Sequence, residues 1–219
     1  MKNFTCSECQ QLLFFENVTC TRCARMLAYL PDCVVVSALA PVDANTTDER
    51  PLLRALSPKA EGKRYRLCRN YMDHGACNWA LAEDDAEHFC LACRLNVVIP
   101  DLSDLAAKEA WKHLERSKRR LVYTLIALRL PIVPRTVNAE TGLGFAFKQE
   151  MPGGERVFTG HEDGLITINI AEADTPLREK IRAELGEAYR TLVGHFRHEV
   201  GHYYWDRLIK DSAHLEPFR

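Results

Sequence analysis

The distribution of apolar residues predicts two long helices in the second half of the chain. Apolar residues recur at helical spacing between Ser103 and Pro131, where Ser103 or Asp104 can cap the start and the proline ends the pattern. A second helical pattern runs from near Glu187 to about Ile209. Both patterns hold enough apolar positions to indicate a buried face.

Short strands are predicted between these two helices, because apolar and polar residues alternate there and glycines mark the turns. The predicted strands are 142–147, 156–159 and 165–170, with a turn at 152–154. We expect 165–170 to be a half-buried or edge strand. Pro176 then suits the first turn of a further helix.

The second long helix carries the pattern H-E-x-x-H at His198, Glu199 and His202. Residues four apart share a helix face, so both imidazoles can reach one metal ion, with Glu199 beside it as general base. Gly201 is unusual here, because glycine inside a helix costs about 1 kcal/mol relative to alanine. A close approach by another backbone would explain it. A solvated helix face is the alternative interpretation of the pattern.

Cysteines dominate the first half of the chain. Cys6, Cys9, Cys20 and Cys23 form two C-x-x-C pairs, which is the ligand set of a zinc ribbon. A β-hairpin is predicted between the pairs, within 10–19. So small a module depends on metal for much of its folding energy. A redox pair is the alternative, and the repeated spacing disfavours it.

A second group of four cysteines consists of Cys68, Cys77, Cys90 and Cys93. Only the last two have C-x-x-C spacing, and His74 and His88 are possible substitute ligands. We expect a second closed structural zinc site; one zinc site plus buried free thiols is the alternative. The remaining cysteine, Cys33, precedes three valines and is expected to be a small buried apolar residue, or else a reactive thiol.

Composition narrows the possible partners. Lys and Arg total 29 against 30 for Asp and Glu, so no broad field favours nucleic acid or an anionic membrane. The basic residues of the first long helix indicate a solvated face, or contact with an acidic partner or nucleic acid. The absence of a signal-like or membrane-length apolar run predicts a soluble, cytoplasmic protein, in which nine cysteines point to zinc rather than disulfides.

Over essentially its whole length, the sequence resembles bacterial zinc-binding metallopeptidases with an N-terminal zinc-ribbon region. The shared segments are the ribbon cysteines, 77–79, 90–96, 99–102, 189–192 and 198–206. The resemblance implies an α+β fold, in which a zinc-ribbon region with two small metal-bound modules precedes a zincin-like half-domain. In zincins an edge strand pairs with extended substrate, and we expect strand 165–170 to do so here.

The expected domains are a zinc ribbon at 1–37, a linker at 38–64, a second zinc-binding module at 65–100 and a zincin-like domain at 101–219. Members of the group continue beyond this length. The resemblance places their third zinc ligand, an acidic residue, on a later helix. We therefore expect the last domain to be truncated at its C-terminus. Nearby candidates for a third ligand are Asp206, His214 and Glu216, with His195 one turn before His198. Asp206 and His195 could instead orient the imidazoles.

Two functions are compatible with these features. The first is a zinc-dependent metallopeptidase, which hydrolyses peptide bonds of a peptide or protein substrate with a zinc-activated water. The alternative is a zinc-ribbon module that binds protein or nucleic acid and carries an incomplete, inactive peptidase remnant. Near-neutral charge disfavours nucleic acid, whereas a protein partner could bind through the zinc ribbons.

Overall fold

The computed structural model describes residues 2–151, 153–176, 178, 183 and 191–218. The chain forms two compact units, Met1–Cys93 and Arg94–Arg219. The first unit contains the metal-binding modules and the second mixes helices with a sheet, so the predicted α+β fold class is confirmed. No helix in the described ranges has the length and apolar character needed to cross a membrane.

The first unit is built on an antiparallel sheet whose strands follow one another in chain order. A small hairpin precedes it, formed by β1 (Phe4–Thr5) and β2 (Leu12–Leu13). The five sheet strands are β3 (Leu27–Leu30), β4 (Val35–Pro41), β5 (Leu53–Ala55), β6 (Arg64–Leu67) and β7 (Ala80–Ala82). A bridge between Tyr29 and Trp79 links β3 to the residue before β7, so the two ends of the sheet meet.

Residues 38–64, which the sequence predicts as a linker, contribute instead to this sheet. β4 extends to Pro41 and pairs with β5, and a 3₁₀ turn at Pro58–Ala60 leads into β6. Leu39, Leu53 and Ala60 belong to one buried apolar cluster. The polar, proline-containing segment is therefore only the loop between two strands, β4 and β5.

Aromatic side chains form the centre of the first unit. Phe15, Tyr29 and Trp79 are each at most 1% exposed. The ring centroids of Tyr29 and Trp79 lie 4.7 Å apart, and those of Phe15 and Tyr29 lie 5.1 Å apart in an edge-on arrangement. Two short helices, α1 (Arg69–Met72) and α2 (Leu91–Arg94), complete the unit beside the second cysteine group.

Among its described residues, the second unit has a mixed sheet and two longer helices. Its elements are β8 (Asn96–Val98), α3 (Leu105–Ala127), β9 (Gly144–Lys148), β10 (Gly160–Glu162), β11 (Leu165–Asn169), a 3₁₀ turn (Ile170–Ala173), α4 (Leu192–Leu208) and α5 (Leu215–Phe218). The sheet order is β10-β11-β9-β8, and β9 is parallel to both of its neighbours. The helix expected near Pro176 falls largely outside the described residues.

Two strand predictions in this unit are corrected by the sheet. β11 covers 165–169 of the predicted strand 165–170, and its side chains alternate between half-buried and buried, as one of the two expectations had it. It is not an edge strand, because both of its sides are paired, and it cannot accept an added strand along its length. The edge strand beside it is β10, which residues 160–162 form, whereas 156–159 has no strand structure. Asp163 and Gly164, with φ of 45° and 81°, make the tight turn that joins β10 to β11.

Helix α3 confirms the predicted cap and corrects the predicted solvated basic face. The Asp104 carboxylate accepts hydrogen bonds from the backbone N–H groups of Ala106 and Ala107. Lys118 is 0% exposed and Arg119 only 5% exposed. The basic residues of this helix are thus divided between surface and interior, because α3 packs against more than one neighbour.

Helix α4 presents one face to the interior and the opposite face to solvent. Thr191 caps it by accepting the backbone N–H of Gly194. Phe196, Val200 and Tyr203 are buried at helical spacing. The Tyr203 hydroxyl donates to the Thr141 carbonyl at 3.0 Å, so the helix is held to the loop before β9.

Candidate metal centres

The first C-x-x-C pair lies in the turn between β1 and β2. The backbone N–H of Cys6 donates to the Gln11 carbonyl at 2.8 Å, and that of Gln10 donates to the Cys6 carbonyl at 3.0 Å. Gln10, directly after Cys9, has a φ of 61°. The hairpin expected between the two cysteine pairs is therefore formed around the first pair, because the knuckle itself supplies the reversal of direction.

The second pair repeats the same backbone geometry. The N–H of Cys20 donates to the Arg25 carbonyl at 2.9 Å, and that of Ala24 donates to the Cys20 carbonyl at 2.9 Å. Ala24, directly after Cys23, has a φ of 55°. Two equivalent turns thus aim four sulfurs at a common centre.

The sulfur positions match a tetrahedral zinc site. The four Sγ atoms of the first group lie within 4.8 Å of one another. The Cys6–Cys23 and Cys9–Cys20 pairs are separated by 3.7 Å and 3.5 Å. Tetrahedral zinc with Zn–S bonds of about 2.3 Å requires sulfur separations of about 3.8 Å. These cysteines therefore fit the ion without rearrangement.

Without a cation, the first group cannot hold several thiolates at once. The backbone N–H of Cys23 lowers the pKa of Cys20 to about 6, against the opposing effect of desolvation. The backbone N–H of Arg25 lowers the pKa of Cys23, but desolvation and the three neighbouring cysteines outweigh it and raise that pKa to about 12. A divalent cation removes this conflict, because it stabilises all four thiolates together.

The second cysteine group is more deeply buried than the first. All four residues are buried and their sulfurs lie within 4.8 Å of one another, with Cys77 and Cys90 at 3.7 Å. The Cys90 N–H donates to the Cys68 sulfur at 3.3 Å, and the Trp79 N–H donates to Cys77 at 3.4 Å. Desolvation raises the pKa of Cys90 well above its usual value, and the other three cysteines add to the shift. The irregular spacing is accommodated by α1, which turns the chain between the first two cysteines.

Three other sequence candidates lie elsewhere. His74 is not part of the second group, and His88 contacts Arg50 through its Nδ1. Cys33, expected to be a buried apolar residue, is half-buried in a polar cluster with Lys63 Nζ at 3.4 Å. Lys63 also pairs with Asp32, the residue before Cys33, at the end of the hairpin. The three valines after Cys33 gave no indication of this polar cluster.

The two histidines of H-E-x-x-H converge on the exposed face of α4. Their Nε2 atoms are 3.1 Å apart, and the rings are nearly perpendicular, with centroids separated by 4.7 Å. Two nitrogen ligands of tetrahedral zinc, at Zn–N distances of about 2.0–2.1 Å, lie about 3.3 Å apart. The predicted pair thus has the separation required for a shared ion.

Within the described part of the chain, no third His, Cys, Asp or Glu joins this pair in a group within 4.8 Å. His195 instead contacts Glu172 through Nδ1. Asp206 pairs with Lys210 at 3.6 Å, and His214 is exposed in the turn before α5. The local candidates, including Glu216 on α5, are therefore not assembled around His198 and His202.

His161 was missed by the sequence analysis and lies beside the histidine pair. Its ring is nearly parallel to that of His202, with centroids 6.4 Å apart. Its Nε2 accepts the backbone N–H of Gly164 at 3.0 Å, so the neutral ring carries its proton on Nδ1. Burial lowers the pKa of His161, which favours that neutral form. The Asp163-Gly164 pair could have indicated a strand at His161, because such pairs form turns between paired strands.

Gly201 is not explained by a close approach of another backbone. A Cβ at this position would meet nothing within 4 Å among the described residues. Gly201 instead opens onto an apolar groove beside His198 and His202, whose other walls include Trp205 and Leu208. The small residue therefore leaves space next to the histidines on the exposed side of the helix.

The chain was compared with known families, curated proteins and solved structures. A family model described as "Putative zinc-binding metallo-peptidase" matches residues 107–219, and a zinc-ribbon domain model matches residues 3–104. Uncharacterized proteins from Mycobacterium tuberculosis and Mycobacterium bovis are each 36% identical over 213 residues. That alignment covers 97% of this chain and 56% of each relative, so the chain spans little more than half of their length. No solved structure matches the chain.

The two matched regions agree with the two groups of features in the structure. The zinc-ribbon match covers both cysteine groups, and the second match covers the helix that carries His198, Glu199 and His202. Zinc-binding families and two four-cysteine sites together identify zinc as the cofactor. The chain belongs to the zinc-binding metallopeptidase family whose model matches residues 107–219, and it carries a zinc-ribbon region before that match.

Proposed function

We propose that the second unit carries the zinc-binding half of a peptidase active site, in a zincin-like arrangement. The observation that carries this proposal is the 3.1 Å separation of the His198 and His202 Nε2 atoms on an exposed helix face. His198 and His202 would hold the ion, and each cysteine group would hold a structural zinc. The structural sites are closed by four thiolates, whereas the histidine pair leaves positions open, as catalysis requires.

Zinc bound by these histidines would lower the pKa of a water molecule and polarise a substrate carbonyl. Glu199, between them in sequence, is the proposed general base, which takes a proton from that water and later passes it to the leaving amine. Thr159, Glu172 and His195 support the helix: the threonine hydroxyl donates to Glu172 at 2.6 Å, and the same carboxylate contacts His195. These contacts join the segment before β10 to the start of α4.

The proposed substrate is a peptide or protein segment in extended form. The unpaired side of β10, the sheet edge that contacts α4, would accept its backbone. The apolar groove next to Gly201 would accept a side chain. This assignment replaces strand 165–170, since β11 has no free side.

A third protein ligand is needed for a catalytic zinc. We propose that it comes from outside the described residues, in agreement with relatives that are longer than this chain. The test compares this chain with a version extended to the length of the relatives, both assayed on an unstructured protein with and without chelator. Chelator-sensitive cleavage by the extended version supports the proposal.

Glu199→Gln in the extended version separates chemistry from metal binding. Loss of a general base typically costs about 10²–10⁴ in rate, while zinc content should stay that of the unmodified protein. His202→Ala should lose both the rate and one zinc equivalent. Unchanged cleavage by Glu199→Gln, or the absence of cleavage by the extended version, would contradict the proposed function.

A second candidate function is protein binding through the zinc-ribbon region, with an inactive peptidase remnant. The observation in its favour is exposed apolar surface on the first hairpin, where Phe14 is 62% exposed and Leu12 is 48% exposed. Phe14→Ser would reduce recovery of a partner bound to the whole protein and leave zinc content unchanged. Equal recovery by the two proteins would count against this role.

A further inference from the structure

A buried polar cluster in the second unit lies outside the proposed peptidase site. Glu115 and Lys118 on α3 are both 0% exposed, and their Oε1 and Nζ atoms are 2.7 Å apart. Asn96, at the start of β8, completes the cluster: its Nδ2 donates to the same Glu115 oxygen at 2.8 Å, and its Oδ1 accepts from Lys118 Nζ. A buried amine, a buried carboxylate and a half-buried carboxamide thus meet at one position.

Aromatic rings form one wall of this position. Lys118 Nζ lies 5.8 Å from the ring centroid of Phe145 and 5.4 Å from that of Phe147. Phe196 packs against both rings, with centroid separations of 5.6 Å and 6.2 Å. The ring faces stabilise the Lys118 ammonium while it is paired with Glu115, and the apolar surroundings penalise an isolated charge. Once proton transfer has made both groups neutral, the desolvated amine is an activated nucleophile.

We propose that Lys118 and Asn96 form an isopeptide bond within the chain, with Glu115 carrying protons between the two nitrogens. The amine nitrogen contacts the carboxamide oxygen, so the carbonyl carbon bonded to that oxygen is the adjacent atom. This contact supplies the proximity that such a reaction needs, and a small shift of the amine from the oxygen towards the carbon completes the approach. The bond would join β8 to α3 across 22 residues of sequence.

The reaction balances without any external reagent. The Lys118 ammonium first gives one proton to Glu115 Oε1, which produces a neutral amine and a neutral acid. The amine lone pair then forms a bond to Cγ of Asn96. Glu115 next gives its proton to Nδ2 and takes one from the attacking nitrogen, the Cγ–Nδ2 bond breaks, and Nδ2 leaves as ammonia. Glu115 ends as the neutral acid. Oε1 lies 2.7 Å from the attacking nitrogen and 2.8 Å from the leaving one, so a single oxygen serves both transfers.

The same helix offers a matched control. Glu109 and Lys112 have the same three-residue spacing and the same 2.7 Å separation, but the side chain of Glu109 is 63% exposed. This surface pair lacks the burial that the proposed reaction requires. Lys112→Arg should therefore leave the cross-link intact, whereas Lys118→Arg should abolish it.

The test is the intact mass of the purified, fully folded chain, followed by peptide mapping. The expected mass is lower than the sequence mass by one molecule of ammonia. Trypsin should then fail to cut after Lys118, and a branched peptide should connect Asn96 to Lys118. Asn96→Ala and Glu115→Gln should each restore the sequence mass.

An unmodified chain with the full sequence mass, cut by trypsin after Lys118, would overturn the proposal and leave a buried ion pair alone. Because this measurement uses the unaltered protein, it does not depend on whether any variant folds. A branched peptide in Glu115→Gln equal in yield to the unmodified chain would overturn the assigned role of Glu115.

Discussion

At the scale of single residues, burial decides what each titratable group can do. Two cysteines of the first metal centre, Cys9 and Cys23, are half-buried, whereas all four cysteines of the second are buried. In the half-buried polar cluster around Asp32, burial and hydrogen bonding have opposite effects on the pKa of the carboxyl. Burial raises the pKa of this carboxyl, but hydrogen bonds from Lys63 and Tyr65, with a smaller one from Cys33, outweigh it and leave the pKa below its usual value.

Asp32→Asn should destabilise the first unit at neutral pH and have no effect in strong acid. A carboxyl whose pKa is lower in the folded than in the unfolded state stabilises the fold above the unfolded value, about 3.9, and this contribution is lost as pH falls through the folded value. The expected difference at pH 7 is about 1 kcal/mol or less, since the Lys63 side chain is 49% exposed.

The measurement is the thermal unfolding midpoint of both zinc-loaded proteins from neutral to acid pH. The gap between the two midpoints should narrow steadily below about pH 5. A gap that stays constant into acid would show that lost packing, and not the charge of Asp32, causes the effect.

At the scale of elements, features that depend on neighbouring residues were predicted correctly, whereas the position of a strand within its sheet was not. Asp104 offers a side-chain acceptor directly before an apolar helical pattern, and it caps α3 as expected. The position of β11 inside the sheet depends on β9, which lies about twenty residues earlier and pairs with it in parallel. Alternation along one strand correctly indicated a half-buried strand but carries no information about such a distant partner, so the edge alternative was wrong.

In the candidate sites too, residues grouped by local spacing were predicted, and residues contributed by distant elements were not. Cysteine spacing was sufficient to group both sets of four, and helical geometry was sufficient to bring His198 and His202 together. His161 reaches them only because β10 folds back at Asp163-Gly164 and contacts α4. The buried Lys118 was unpredictable for a similar reason, because its partner Asn96 belongs to another element.

Gly201→Ala should stabilise α4 without disturbing the histidine pair. Glycine in a helix interior costs roughly 0.5–1 kcal/mol relative to alanine. A Cβ here meets nothing within 4 Å, so the added methyl group brings no clash among the described residues. The unfolding midpoint of the variant should rise by a few degrees at equal zinc content.

Gly194→Ala in the first turn of α4 provides the same substitution at the start of the helix, one turn before His198. A lower midpoint for Gly201→Ala would indicate that the groove beside it is filled by part of the protein. If Gly201→Ala raises the midpoint but reduces cleavage by the extended protein, the open space beside residue 201 is part of the substrate-binding site.

At the scale of the whole molecule, the two cysteine sites should release zinc at different rates. Cys9 and Cys23 are only half-buried, whereas all four ligands of the second group are enclosed. A chelator and protons can approach the first site directly, but the second must open first. We expect two phases on addition of excess chelator, with the slower one belonging to the second group.

The release is followed with a coloured chelator under native conditions. Cys9→Ser should remove the fast phase and retain the slow one, and the corresponding change at Cys93 should do the reverse. A single phase in the unmodified protein, or loss of the slow phase in Cys9→Ser, would contradict the assignment.

The order of strands in the first unit has a consequence for synthesis on the ribosome. Each strand of its sheet pairs with the next one along the chain, and both cysteine groups are complete by Cys93. The nascent chain can therefore close this unit while residues 94–219 are still being translated, an interval of roughly 6–25 seconds at about 5–20 residues per second. The second unit has to wait, because β8 pairs with a strand made about fifty residues later. Metal can accordingly complete the two cysteine sites as soon as Cys93 has left the ribosome, before the second unit has been made.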